Sequence, residues 1–237
     1  MASLTAGDIL RVWETASSQA PVDRALSLLA VSTGARRDEL ARLPIGDRDA
    51  RLFDVREGTF GPRATGVAAC ARCAGRVEFA LDLPSLRVAR PAAAEGDVEA
   101  AGWHLRFRLP NSDDLVAATR ADDPRRALAA RCVVEARQGD TAVAEPELPP
   151  PVLAGLAAAM AESDPQAEVL LDYTCPDCGA AGQTLFDIAA FLWEEVRAQA
   201  RRLLLEVATL ARAFGWSEAD ILAMSPARRS AYLELVP

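Results

Sequence analysis

Apolar residues recur along this chain with two different periods, and the changes of period divide it into segments. In DILRVWETA and DRALSLLAVS they fall three and four positions apart, predicting two helices, the second opened by Pro21. GDRDARLFDVRE predicts a third, with Asp47 as its cap, so residues 6 to 58 read as helical. The pattern breaks at GTFGPRATG. Beyond it VEFALDL alternates as a strand does, and a loose stretch, RPAAAEGD, leads to WHLRFRL. There Trp103, Leu105, Phe107 and Leu109 share one face and His104, Arg106 and Arg108 the other, which predicts a half-buried strand.

Helical spacing then returns. Asn111 or Ser112 caps a short helix beginning DDLVAATR, and Asp123-Pro124 starts another over RRALAARCVVEAR. EPELPPP reads as a rigid linker, VLAGLAAAMAESD as a small helix and AEVLLDYT as a strand. From Thr184 to Phe214 the stripe Ala189, Leu192, Val196, Ala200, Leu203, Val207, Leu210 and Phe214 predicts one amphipathic helix about 45 Å long. Gly215 ends it. Ser217 with Asp220, and Ser225 with Pro226, start two short helices over ADILAM and PARRSAYLELV.

Composition narrows the chemistry. The 237 residues contain 26 basic side chains, all arginine, against 34 acidic ones, a net charge of −8 with pI near 4.8. Without lysine there is no Schiff-base or phosphate-loop lysine. With His104 as the single histidine, acid–base catalysis near neutral pH loses its usual carrier, so an enzyme is not expected. The acidic balance disfavours nucleic-acid binding, which draws on a basic footprint. No apolar run reaches membrane-span length and the N-terminus lacks a signal-peptide core. The expectation is a cytoplasmic protein with no membrane partner.

Cysteine carries the strongest signal. Cys70 and Cys73, and Cys175 and Cys178, form two C-x2-C pairs with 101 residues between them, and Cys132 is left over. In CARCAG and CPDCG a glycine, Gly75 or Gly179, follows the second cysteine, where a tight turn needs positive φ and aims N–H groups at sulfur. Two such turns facing each other make a closed four-thiolate site of the structural zinc type, with no coordination position for water or substrate. The alternatives are a rubredoxin-like iron centre serving electron transfer, which the same ligands would also hold, a redox thiol pair, and a nucleic-acid-binding zinc ribbon. Glu194-Glu195 and Asp113-Asp114 could serve as carboxylate pairs for acid–base work, but neighbouring acids near helix starts usually just complement the macrodipole. Cys132, in an apolar helical run, reads as a small buried hydrophobe.

The run FDIAAFLWEEVRAQARRLLLEVATLARAFGWSEADILAMSPARRSAYLELV resembles the ending of the T4-type phage baseplate hub assembly chaperones, accessory proteins of contractile phage tails and phage-tail-like injection systems. LPIGDRDARLFDVREGTFG, FRLPNSDDLVAA and the two cysteine knuckles also fit, so the resemblance runs from about residue 43 to the end. Its most specific part is the tail GWSEADIL followed by SPARRSAYLELV. The family pattern has a histidine in the long helix where this chain reads Glu206-Val207-Ala208-Thr209, and the first knuckle lacks the proline of the second. The resemblance implies a non-enzymatic assembly factor that binds hub or spike proteins, takes no small-molecule substrate, and acts in the cytoplasm with or without retention in the particle.

Together these readings predict a helix-rich α+β chain. An N-terminal helical segment (1–60) precedes a split four-cysteine zinc-ribbon core (61–183, knuckles 70–75 and 175–179) with a small-sheet plus helices insertion at 79–170. The long helix and short helical tail occupy 184–237. Zn2+, in a structural role, is the expected cofactor, held by Cys70, Cys73, Cys175 and Cys178. The expected partner surface comprises Trp193, Leu203, Leu210, Phe214, Trp216, Ile221, Leu222, Arg228, Arg229, Tyr232 and Leu233.

Overall fold

The computed structural model describes residues 2–88, 93–144 and 146–236. Arg90 to Ala92 of the RPAAAEGD stretch and Glu145, which opens EPELPPP, lie outside the described residues. The N-terminal quarter forms α1 (Ala6–Ala16), α2 (Pro21–Thr33), a single-turn α3 (Arg37–Ala41) and α4 (Ile45–Phe60). Thr5 and Asp8 close a reciprocal capping box on α1, and Pro21 opens α2 as expected. Asp47 is not a cap. Helix α4 starts three residues earlier than that cap would give, at Ile45 after Pro44, which puts Asp47 in its first turn.

Two strands follow where the sequence predicts one. β1 (Arg63–Ala69) pairs antiparallel with β2 (Arg76–Asp82) in register from Arg63↔Asp82 to Ala69↔Arg76. Part of GTFGPRATG is therefore strand rather than loop. The reason it escapes pattern reading is that RATGVAA offers small side chains and no large inward residue.

The middle of the chain builds its own sheet in the order β3 (Glu95–Ala100), β4 (Trp103–Arg108), β5 (Val133–Gln138), β6 (Thr141–Ala142). Strand β4 buries Trp103, Leu105 and Phe107 as its alternation predicts, and exposes His104. α5 (Ser112–Ala118), capped by Asn111, and α6 (Pro124–Cys132), capped by Asp123, follow β4. The expected helix through CVVEAR ends at Cys132. Two adjacent β-branched valines favour the strand, and pairing with β4 decides it. A register shift between Arg106↔Glu135 and Phe107↔Val133 leaves Val134 as the extra residue. α7 (Pro150–Ser163) covers the buried face, so Leu105, Phe107, Leu148, Val152 and Leu156 form a separate core.

The chain returns through β7 (Leu170–Thr174) and β8 (Ala181–Leu185), a second two-stranded antiparallel hairpin. The long helix α8 therefore begins at Ile188, capped by Asp187, and not at Thr184. It runs 27 residues, about 40 Å, to Gly215, whose φ of 71° ends it as predicted. α9 (Glu218–Ala223) and α10 (Pro226–Leu233) start at Ser217 and Ser225.

The largest core is helical. Leu10, Val12, Leu28 and Leu29 of α1 and α2 and Leu52, Phe53 and Val55 of α4 pack with Leu192, Val196, Ala200 and Leu203 of α8. The stripe of α8 thus covers the protein's own N-terminal helices, and Leu81 and Leu83 join them from the first hairpin. A buried Arg56 pins this arrangement, with its guanidinium on Glu195 at 2.6 Å and on the carbonyl of Arg63 at 2.9 Å. The main hydrophobic core is therefore this bundle, and the cysteine hairpins form a smaller cluster beside it. None of the helices among the described residues is long and apolar enough to cross a membrane.

Candidate metal centre

Each cysteine pair is the turn of a hairpin. Pairing of β1 with β2 stops at Ala69↔Arg76 and pairing of β7 with β8 at Thr174↔Ala181, leaving six-residue turns, Cys70–Gly75 and Cys175–Ala180. The two turns carry the same hydrogen bonds. The N–H of Cys70 donates to the Gly75 carbonyl (2.8 Å) as that of Cys175 does to Ala180 (2.9 Å). The N–H of Ala74 donates to the Cys70 carbonyl (2.8 Å) as that of Gly179 does to Cys175 (3.0 Å).

This equivalence corrects the reading of Gly75. The left-handed position directly after the second cysteine is occupied by Gly179 (φ 68°) in one turn and by Ala74 (φ 57°) in the other. Alanine there costs about 1 kcal/mol or more. Gly75 is instead closely packed, since a Cβ on it would stand 2.1 Å from Oδ2 of the exposed Asp177 in the opposite knuckle, which would have to turn away, and 3.1 Å from Sγ of Cys73.

The four Sγ atoms all lie within 4.8 Å of one another. Two close separations cross between the knuckles, Cys70 to Cys178 at 3.8 Å and Cys73 to Cys175 at 3.6 Å. Cys70 and Cys175 are buried, Cys178 half-buried and Cys73 exposed. Backbone N–H groups face the sulfurs, Arg72 to Cys70 and Gly75 to Cys73, both at 3.4 Å. The N–H groups of Cys73 and Arg72 draw the Cys70 thiol down to about 6. At Cys73 the Gly75 N–H acts the same way, but the crowded sulfurs of Cys178 and Cys175 push it up to about 12. Four sulfurs this close cannot all ionise unaided, and a cation that replaces their protons relieves the repulsion. The donor set therefore fits a metal ion.

Tyr173 is the contributor that cysteine spacing does not reveal. Projecting inward from β7, its hydroxyl oxygen accepts the N–H of Ala71 (3.0 Å) in the opposite knuckle. Its ring meets Phe79 of β2 edge-on at 6.3 Å and covers Gly182, where a Cβ would lie 2.7 Å from the ring. The signal for it was the alternation of LLDYT, which turns Leu171 and Tyr173 to the same side.

The remaining candidates are placed apart from this cluster. Asp114, fully buried, is held by Arg108 (2.5 Å) and Arg131 (2.8 Å), while Asp113 is exposed. Glu194 pairs with Arg197 and Glu195 with Arg56. Cys132 is fully buried at the end of α6, and burial pushes its thiol up to about 11. Of the expected partner surface, Trp193, Leu203, Leu210, Ile221 and Arg229 are buried within the chain. Arg229 lies on Glu206 at 3.0 Å. Phe214, Trp216 and Tyr232 form a cluster with centroids 4.5 to 5.7 Å apart. Arg228 lies over Tyr232, Leu233 is half-buried, and Leu222, also half-buried, packs against the main helical core.

A family profile described as T4 bacteriophage base plate protein matches residues 15–193. That span includes both knuckles, the intervening sheet and the first turns of α8. The tail that carries the most specific resemblance lies beyond it. No curated protein and no solved structure matches the chain.

Proposed function

Because the chain belongs to the T4 bacteriophage base plate protein family, we propose that it is a non-enzymatic assembly factor of the hub chaperone type for a contractile phage tail or phage-tail-like injection particle. On this reading it binds hub or spike proteins and holds one structural zinc ion in a split zinc ribbon. The observation that carries the reading is the family match over a span whose clustered, chemistry-bearing residues are four thiols. In the two acidic pairs, the carboxylates of Asp114, Glu194 and Glu195 are engaged by arginines.

Cys70, Cys73, Cys175 and Cys178 would hold the ion. A tetrahedral thiolate site with arms of about 2.3 Å has edges of about 3.8 Å, close to the 3.8 and 3.6 Å that separate the cross-knuckle pairs. When bound, the ion supplies fixed positive charge and a staple, of a kind that contributes on the order of 10 kcal/mol to small metal-dependent folds. The chain's own residues do the rest. The N–H groups of Arg72 and Gly75 face the sulfurs, Tyr173 docks one knuckle on the other, and β8 passes through Asp187 into α8. The staple thereby ties the start of the middle sheet module to the helix that completes the bundle.

Deleting the gene in a host that makes the particle tests this function. Sheath and tube proteins should still be made while particles are malformed. Normal particles from the deletion strain would defeat the assembly reading. A red, iron-containing protein would support electron transfer in its place.

A further inference from the structure

The inward stripe of α8 is consumed by the bundle, which leaves its outer face to be explained. From Arg197 to Ala213 the exposed positions include Ala198, Arg201, Leu205, Ala208 and Arg212, spaced three and four apart. Leu205 is 70% exposed, the highest value among the large apolar side chains described, and Leu204 beside it is 37% exposed. Alternating spacing of this kind is what one helix presents to another, and the two alanines permit close approach.

The charge on this face is one-sided. Arg197, Arg201, Arg202 and Arg212 are exposed, and the single carboxylate between 197 and 213, Glu206, is turned inward onto Arg229. Arg197 and Arg202 are paired with Glu194 and Glu206. The guanidinium groups of Arg201 and Arg212 make no hydrogen bond or ion pair among the described residues. In a chain of net charge −8 this is a local cationic surface with an apolar seam. Its two uncommitted guanidinium groups stand eleven positions apart, about 16 Å along the axis. A nucleic-acid groove is usually lined by a denser row of cations, and leucine at its centre adds nothing to phosphate binding.

We propose that the outer face of α8, centred on Leu205 and Ala208, is where the partner docks, and that the partner presents an acidic amphipathic helix. This rests on the assembly-factor reading and names the partner's chemistry. An apolar stripe on the partner covers Leu205 and Ala208, and two carboxylates about 16 Å apart meet Arg201 and Arg212.

The probe is a labelled helical peptide with a leucine and alanine stripe and two glutamates eleven positions apart, titrated with the full-length chain and followed by fluorescence anisotropy. The expected result is saturable binding that weakens at least about tenfold in Arg201→Glu/Arg212→Glu and in Leu205→Asp, and falls with added salt. These side chains are exposed, so the variants should keep the parent's circular dichroism and metal content. The proposal is overturned if a peptide with lysines in place of the glutamates binds as well, or if Leu205→Asp binds unchanged. It is also overturned if duplex DNA displaces the peptide, or if the parent dimerises through this face and Leu205→Asp does not. Complementation separates the two readings. If Leu205→Asp restores particles to a deletion strain that lacks them, the surface is wrong and the assembly role stands. If the deletion strain needs no complementation, the assembly role fails and the titration alone decides the surface.

Discussion

Substituting Gly46 by alanine should disconnect the middle module from the helical bundle. Gly46 sits in the first turn of α4, and its N–H donates to Oδ2 of Asp164 at 2.8 Å, where the chain leaves α7. A Cβ on Gly46 would fall 1.8 Å from Oδ1 of that carboxylate. Asp164 is 2% exposed and its Oδ1 has no donor among the described residues, so the group has little room in which to retreat. Losing a hydrogen bond to a charged group costs about 1.5–3 kcal/mol, and overpacking adds about 1–3 kcal/mol. The better helix propensity of alanine returns at most about 1 kcal/mol, leaving a net loss of about 1.5–6 kcal/mol. Urea unfolding followed by far-ultraviolet circular dichroism reads this directly. In an Asp164→Ala background the clash is gone, and Gly46→Ala should cost nothing further. Parental stability for the single variant, or an undiminished cost in that background, would refute the reasoning.

Three further outcomes can be checked in the same assay. Ala74→Gly should stabilise the chain by about 0.5–1 kcal/mol by relieving its left-handed backbone, with metal content unchanged; a loss of stability would show that Ala74 is not strained. Asp49 is pushed up to about 6 by burial, against the opposing pull of Arg48. Its folded-state value lies above its unfolded one, so its contribution is fully present below about pH 4 and is lost as pH rises through 6. Stability should therefore decline between about pH 4 and 6 and level off above that, by up to about 3 kcal/mol from this group, and Asp49→Asn should flatten the decline. Arg56→Met should destabilise by about 2–3 kcal/mol, because Glu195 and the Arg63 carbonyl lose a buried partner; a neutral outcome would mean that water replaces the guanidinium.

Most helices were legible in the sequence because their signals are local. Capping residues, N1 prolines and Gly215 act within a turn, and all of α5, α6, α9 and α10 begin where Asn111, Asp123, Ser217 and Ser225 indicate. The strands that escaped, β1, β3, β6 and β8, are short, rich in small or polar residues and stabilised by partners across a hairpin. The boundary at Cys132 was hidden because VVEAR keeps an apolar content that either a helix or a strand can use. That the four cysteines converge was readable from spacing alone, since two C-x2-C pairs are commonly brought together in such a chain. Tyr173 and the exchanged roles of Ala74 and Gly75 were not, because they depend on how one knuckle meets the other across 101 residues of sequence.

The central claim is that two distant cysteine pairs share one ion and so close the fold. Elemental analysis of the purified full-length chain beside Cys70→Ser and Cys175→Ser tests it. One zinc per chain in the parent, and loss of that zinc with lowered thermal stability when either knuckle is altered, is the predicted result. A variant in one knuckle that keeps its zinc and its melting temperature would contradict the shared site.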